Sequence, residues 1–126
     1  MQSVDIQHFI AINFLSSNQN YLVEIDKQKD MLLGNKIKEL RDQYEVLQRQ
    51  LAAYLEIDTP MFSKIERGDS RAKRNQVIQL AKYFHINENE LLILWLADKV
   101  MDALEGENEL SLDAIEVVKS NMKRNL

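Results

Sequence analysis

From Met31 onward, apolar residues recur at helical spacing. Ile37, Leu40 and Tyr44 fall on one face and Lys36, Lys38, Glu39 and Asp42 on the other, so the pattern predicts a first helix from Asn35. Leu47, Leu51, Ala52 and Leu55 repeat it as the inward stripe of a second helix, which the turn Glu56-Ile57-Asp58 interrupts. Asp58 is a good N-cap, and Pro60 sits in the first turn, where a missing N–H costs nothing. A third helix with Phe62 and Ile65 inward follows, stopped by Gly68, a residue suited to a left-handed C-terminal cap. Asp69 to Lys73 read as a polar link. Val77, Leu80, Ala81 and Phe84 mark a fourth helix, and Asn87 opens a fifth that runs to Leu104. Beyond Gly106, Leu112, Ile115, Val118 and Met122 mark a short last helix whose basic end (Lys119, Lys123, Arg124) suits the helix dipole.

Residues 1–30 fit neither period: Phe9, Ile10, Ile12, Phe14 and Leu15, then Tyr21 to Val23, cluster without a face. Met31 opens a new amphipathic segment, so 1–30 are read either as an annotation extension outside the translated protein or as an arm that pairs across an oligomer. The expected division is an N-terminal extension (1–30), a helical domain (31–104) and an acidic link with a helix (105–126).

Composition narrows the class. At 126 residues with 45% apolar and 29% charged residues, the chain holds one core with extensions. One Pro and three Gly favour long helices over a sandwich or barrel, so the fold class is all-α. With no Cys, disulfides and thiolate chemistry are excluded, and a reducing cytoplasm fits. The longest apolar run, Leu91 to Ala97, is seven residues, against the roughly 20 of a membrane span, and the first residues lack the basic leader of a signal peptide. His8 and His85 are far apart, His85 reads as partly packed beside Phe84, and the three glycines build no phosphate loop. Catalysis, a metal and a cofactor are therefore not expected.

Charge changes the picture, because the net −4 is unevenly spread. Residues 31–84 carry 10 basic and 7 acidic groups, a local +3, whereas 85–126 carry 4 and 9, a local −5. All of the excess of the middle region lies in Thr59 to Arg74, with Lys64, Arg67, Arg71, Lys73 and Arg74 against Glu66 and Asp69. A phosphate backbone responds to the patch within a screening length, not to the molecular average.

Two short helices joined by a three-residue turn, the second capped by Asp and followed by a basic link, have the outline of a helix-turn-helix. Leu47 to Gly68 closely resembles the lambda-repressor-like (XRE-type) helix-turn-helix family. Gln48, Leu51-Ala52, Ile57, Phe62-Ser63, Ile65-Glu66 and Gly68 carry the match, which extends over about Leu33 to Lys99. The resemblance implies a five-helix DNA-binding domain, here with an added C-terminal helix and an N-terminal extension. Thr59, Pro60, Met61, Ser63 and Lys64 would read base edges in the major groove of double-stranded DNA. Gln48, Arg49, Arg67, Arg71, Lys73 and Arg74 would hold phosphates, and Arg41 with Glu66 would form a structural ion pair between the first and third helices. The sequence departs from the family at Glu56, where Gly is preferred and a left-handed residue carries roughly 1 kcal/mol of strain. It departs again at Leu47, which removes a cap worth about 1 kcal/mol.

One recognition helix reads few base pairs, so a homodimer on a palindromic site is expected. Leu91 to Ala97 are apolar all round and need cover on two sides, which makes Ile93, Leu94, Trp95 and Leu96 the dimer candidates. The general appearance is that of the small controller proteins of restriction–modification systems. The competing reading is an antitoxin whose acidic, apolar C-terminal region masks a toxin and whose DNA binding serves autoregulation.

Overall fold

The computed structural model describes residues 31–126. Their regular structure is six α-helices: α1 (Leu32–Tyr44), α2 (Gln48–Leu55), α3 (Thr59–Arg67), α4 (Arg74–Tyr83), α5 (Glu88–Ala103) and α6 (Ser111–Arg124). The arm expectation falls on residues 1–30, outside the described residues. No helix among the described residues is long and apolar enough to cross a membrane.

The first five helices close around one core. The stripes read from the sequence supply it: Ile37, Leu51, Phe62, Val77, Leu80 and Leu91 are the largest fully buried side chains. α2 packs on α3, α4 on α5 and on α2, and α1 lies against both α3 and α5. α3 starts as its sequence dictates, with the Asp58 carboxylate accepting the Met61 N–H at 2.7 Å and Pro60 in the first turn. It ends at Gly68 with φ +82°, and the Asp69 N–H closes the turn on the Lys64 carbonyl at 2.8 Å. The turn between α2 and α3 keeps the left-handed conformation despite its acidic residue: Glu56 has φ 58° and ψ 41°.

Several expectations are corrected. Tyr44 and Leu47, expected inward, are exposed. α2 begins at Gln48 with Leu47 as its N-cap, as the family pattern implied; Leu47 offers no side-chain bond there, and its own N–H is taken by the Gln50 side chain at 2.7 Å. His85, expected packed, is exposed with φ 55°. The run from Leu91 to Ala97 is one-sided after all: Leu91, Leu92 and Trp95 are buried, while Ile93 and Leu96 are 64% and 52% exposed. Trp95, named for an interface, belongs to the protomer's own core. Its indole N–H donates to the Ala72 carbonyl at 2.7 Å, and the Lys99 ammonium lies 3.6 Å from the ring centroid.

One polar cluster ties the front of this core together. The Arg41 guanidinium donates to both Glu66 carboxylate oxygens at 2.7 Å and to the Val46 carbonyl at 3.2 Å. The Gln48 side chain adds a third donor to Glu66 at 3.0 Å. The paired side chains are only 13% and 8% exposed, and the carboxylate holds the Arg41 pKa above its ordinary value. α1 approaches α3 closely enough that a Cβ on Gly34 would stand 2.0 Å from the Glu66 carbonyl oxygen. At the far end of α1, where Met31 offers no side-chain cap, the buried Asp98 of α5 accepts the Leu32 and Leu33 N–H groups at 2.9 and 3.0 Å.

Removing one partner of the Arg41–Glu66 pair leaves the other as a buried, uncompensated charge. Glu66→Ala is expected to cost about 3–5 kcal/mol, read as a lower urea midpoint, whereas replacing both residues by Leu should recover most of that loss. An exposed pair would show a cost below about 1 kcal/mol for the single variant.

Candidate nucleic-acid interface

The inner side of α3 is fully committed. Phe62 and Ile65 sit in the core and Glu66 in the ion pair. That leaves Thr59, Pro60, Met61, Lys64 and Arg67 on the exposed side and Ser63 half-exposed. The placement follows from the 3.6-residue period, since burying 62, 65 and 66 turns 59, 60, 63, 64 and 67 outward. Arg67 lies along this outer side, donating to the Ser63 hydroxyl oxygen at 2.6 Å and to the Asp69 carboxylate at 3.0 Å. Ser63 accepts in that bond and so keeps its own O–H to donate outward.

Cations flank α3 at two helix beginnings. α2 opens on Gln48 and Arg49, and α4 opens behind the N-cap Lys73 with Arg74 at its first position. Neither helix has an acidic residue in its first turn, whereas α5 has Glu88 and Glu90 there and α6 has Asp113. A cation at the positive end of a helix dipole is unfavourable unless an anion approaches, and the first-turn N–H groups point toward such an anion. The starts of α2 and α4 thus combine cations with an absence of first-turn acids, unlike those of α5 and α6.

Three of the expected phosphate residues carry additional bonds. Gln48 is turned toward Glu66, which holds its amide against the ion pair. Arg67 is braced by Ser63 and Asp69 as described. Arg71 pairs with Asp102 of α5, across the link that Trp95 anchors through Ala72. Arg49, Lys73 and Arg74 are exposed. The sequence reading missed Asp98 and Asp102. The available signal was their position: two acids placed four residues apart on a helix otherwise dominated by apolar residues.

A family model for the helix-turn-helix matches residues 37–91. Residues 37–91 form a lambda-repressor-like (XRE-type) helix-turn-helix domain. The match takes in α1 from Ile37 onward, all of α2 to α4 and the first turn of α5, and it supports DNA binding of the XRE kind for this domain. No curated protein and no solved structure matches the chain. Within this helix-turn-helix domain α2 and α3 are the paired motif helices, with Ala52 buried on α2.

Lys73 separates the two uses of a helix start by sign. Lys73→Ser creates a Ser-x-x-Gln capping box with Gln76, whose side chain already accepts the residue 73 N–H at 2.8 Å. Thermal unfolding should show a gain of about 1 kcal/mol. Affinity for any duplex should fall, with a salt-dependence slope lower by about 0.9. Unchanged binding would make Lys73 a solvated charge alone.

Proposed function

We propose that this regulator binds a palindromic operator as a homodimer, with α3 of each protomer in the major groove. The observation that carries the reading is the division of α3: one side locked by Phe62, Ile65 and the Glu66 cluster, the other exposed, while the helices before and after it in the chain open on cations and no acids. On the free side Lys64 suits guanine O6 or N7, and Ser63 and Thr59 hydrogen-bond in either sense. Pro60, Met61 and the Thr59 methyl suit a thymine methyl. Gln48, Arg49, Arg67, Arg71, Lys73 and Arg74 take the phosphates, which set register without reading sequence. Pro60 has no N–H and so makes no backbone bond to a phosphate.

Dimerisation draws on the outer side of α5, where Ile93 and Leu96 are exposed, Leu94 is half-buried at the edge, and Val100 and Met101 continue the apolar surface. Paired recognition helices would meet half-sites about 34 Å apart. Control of a restriction–modification operon is the role that the likeness to controller proteins favours. A second reading, an antitoxin, is favoured by the exposed apolar residues of α6, and there a toxin rather than a second copy covers them.

Selection from a random duplex library should return a two-fold symmetric site, and sequences without symmetry would overturn the dimer–operator reading. Lys64→Ala should reduce discrimination between that site and its variants by about 1–3 kcal/mol. Arg71→Ala should weaken all duplexes alike and lower the salt slope by about 0.9. Equal loss of specific and nonspecific affinity in Lys64→Ala would overturn its base-reading role, and a loss confined to the specific site in Arg71→Ala would overturn its phosphate role.

A further inference from the structure

α6 buries none of its residues, and it packs extensively against no other described helix. Leu112, Val118 and Met122 are 76%, 57% and 62% exposed, and Ile115 is 37% exposed. At 3.6 residues per turn these four side chains fall within about 120° of one another. A lone helix of this length is marginal in water, and most helical stability comes from packing such a face. The stripe therefore needs cover.

The charges bordering the stripe identify the cover. Along its Leu112 edge run Glu116, Lys119 and Lys123, acidic first and basic afterwards; along the other edge run Ser111, Ala114, Asn121 and Asn125, all uncharged. Two such helices related by a two-fold axis and running antiparallel set like edges against each other. With Ile115 of one copy against Val118 of the other, Glu116 of each lies beside Lys119 of its mate on both sides of the axis, and the helix dipoles oppose. A parallel pair would put the charged edge against the uncharged one and align the dipoles. We propose that α6 pairs antiparallel with α6 of a second copy of this chain, Ile115 against Val118, as a contact separate from the α5 surface. The inference rests on the homodimer reading and specifies a second element that holds the dimer and its partner.

The test uses the full chain in five forms, the wild type and four variants, followed by sedimentation equilibrium. Lys119→Glu makes the charged edge acidic and Glu116→Lys makes it basic, so each variant alone should dimerise about tenfold more weakly. An equimolar mixture should recover the wild-type affinity as a heterodimer, and the double exchange Glu116→Lys with Lys119→Glu should recover it as a homodimer. Amide exchange over Leu112 to Met122 in the wild type should slow as protein concentration brings the dimer together. Slow exchange at every concentration would mean that the chain covers its own stripe, and uniformly fast exchange that nothing does; either overturns the pairing. Dimer affinity unchanged by both reversals, but abolished by Ile93→Asp, would overturn the α6 contact and leave the α5 dimer standing. A wild-type chain that is monomeric at all concentrations would remove the homodimer reading itself.

Discussion

The bidentate pair between Arg41 and Glu66 is the constraint on which the front of the molecule depends. Glu66 is the last inward residue of α3, so wherever its carboxylate is held, the roll of α3 about its own axis is held too. Arg41 fixes it from α1, Gln48 fixes it from the first residue of α2, and the same guanidinium reaches the Val46 carbonyl in the turn between them. Each element of the motif thereby refers its position to one carboxylate. A buried pair of this kind contributes little net stability against an apolar replacement, because desolvation offsets the attraction. Its use here is geometric: the outward side of α3 can face only one way.

Gly34 belongs to the same constraint. The backbone of α1 passes so near the Glu66 carbonyl that no side chain fits between, and that approach brings Arg41, two turns along α1, within reach of the carboxylate. On the other side of the core, Asp98 caps α1 from α5, and Trp95 on the same helix holds the Ala72 carbonyl within the basic link. α5 therefore does two jobs for the cationic stretch, anchoring its middle by the indole and one of its arginines by Asp102. Stability and charge placement are coupled through one helix, which is why the basic link, with no regular structure of its own, has a defined path.

The helices of the motif were legible from residue types alone. Phe62, Ile65, Val77 and Leu80 could be assigned to the core because an apolar side chain at helical spacing has one favourable direction, and Asp58 and Gly68 could be assigned as stops because a cap and a left-handed turn are local demands of the backbone. The same logic failed where burial was decided from afar. Tyr44 and Leu47 satisfy the spacing of their helices yet lie at helix ends and stay about half exposed, Tyr44 even with its ring against that of Phe84. Trp95 satisfies the pattern of an exposed anchor yet is enclosed, because Ala72 brings it a carbonyl acceptor from 23 residues away.

By itself the order of residues determined the helices of residues 31–126, the stops at Asp58 and Gly68, the local excess of positive charge and the likeness to a helix-turn-helix domain, all of which depend on neighbours within a few positions along the chain. Only the tertiary structure decided which charges are partnered. Arg67 meets Ser63 and Asp69 nearby, but Arg71 meets Asp102 from 31 residues away, Asp98 finds two N–H groups about 65 residues away, and Gln48 turns to Glu66 rather than to solvent. The physical reason is that hydrogen bonds and ion pairs act over a few ångströms in space, and the distance along the chain that separates such partners is set by how the helices stack.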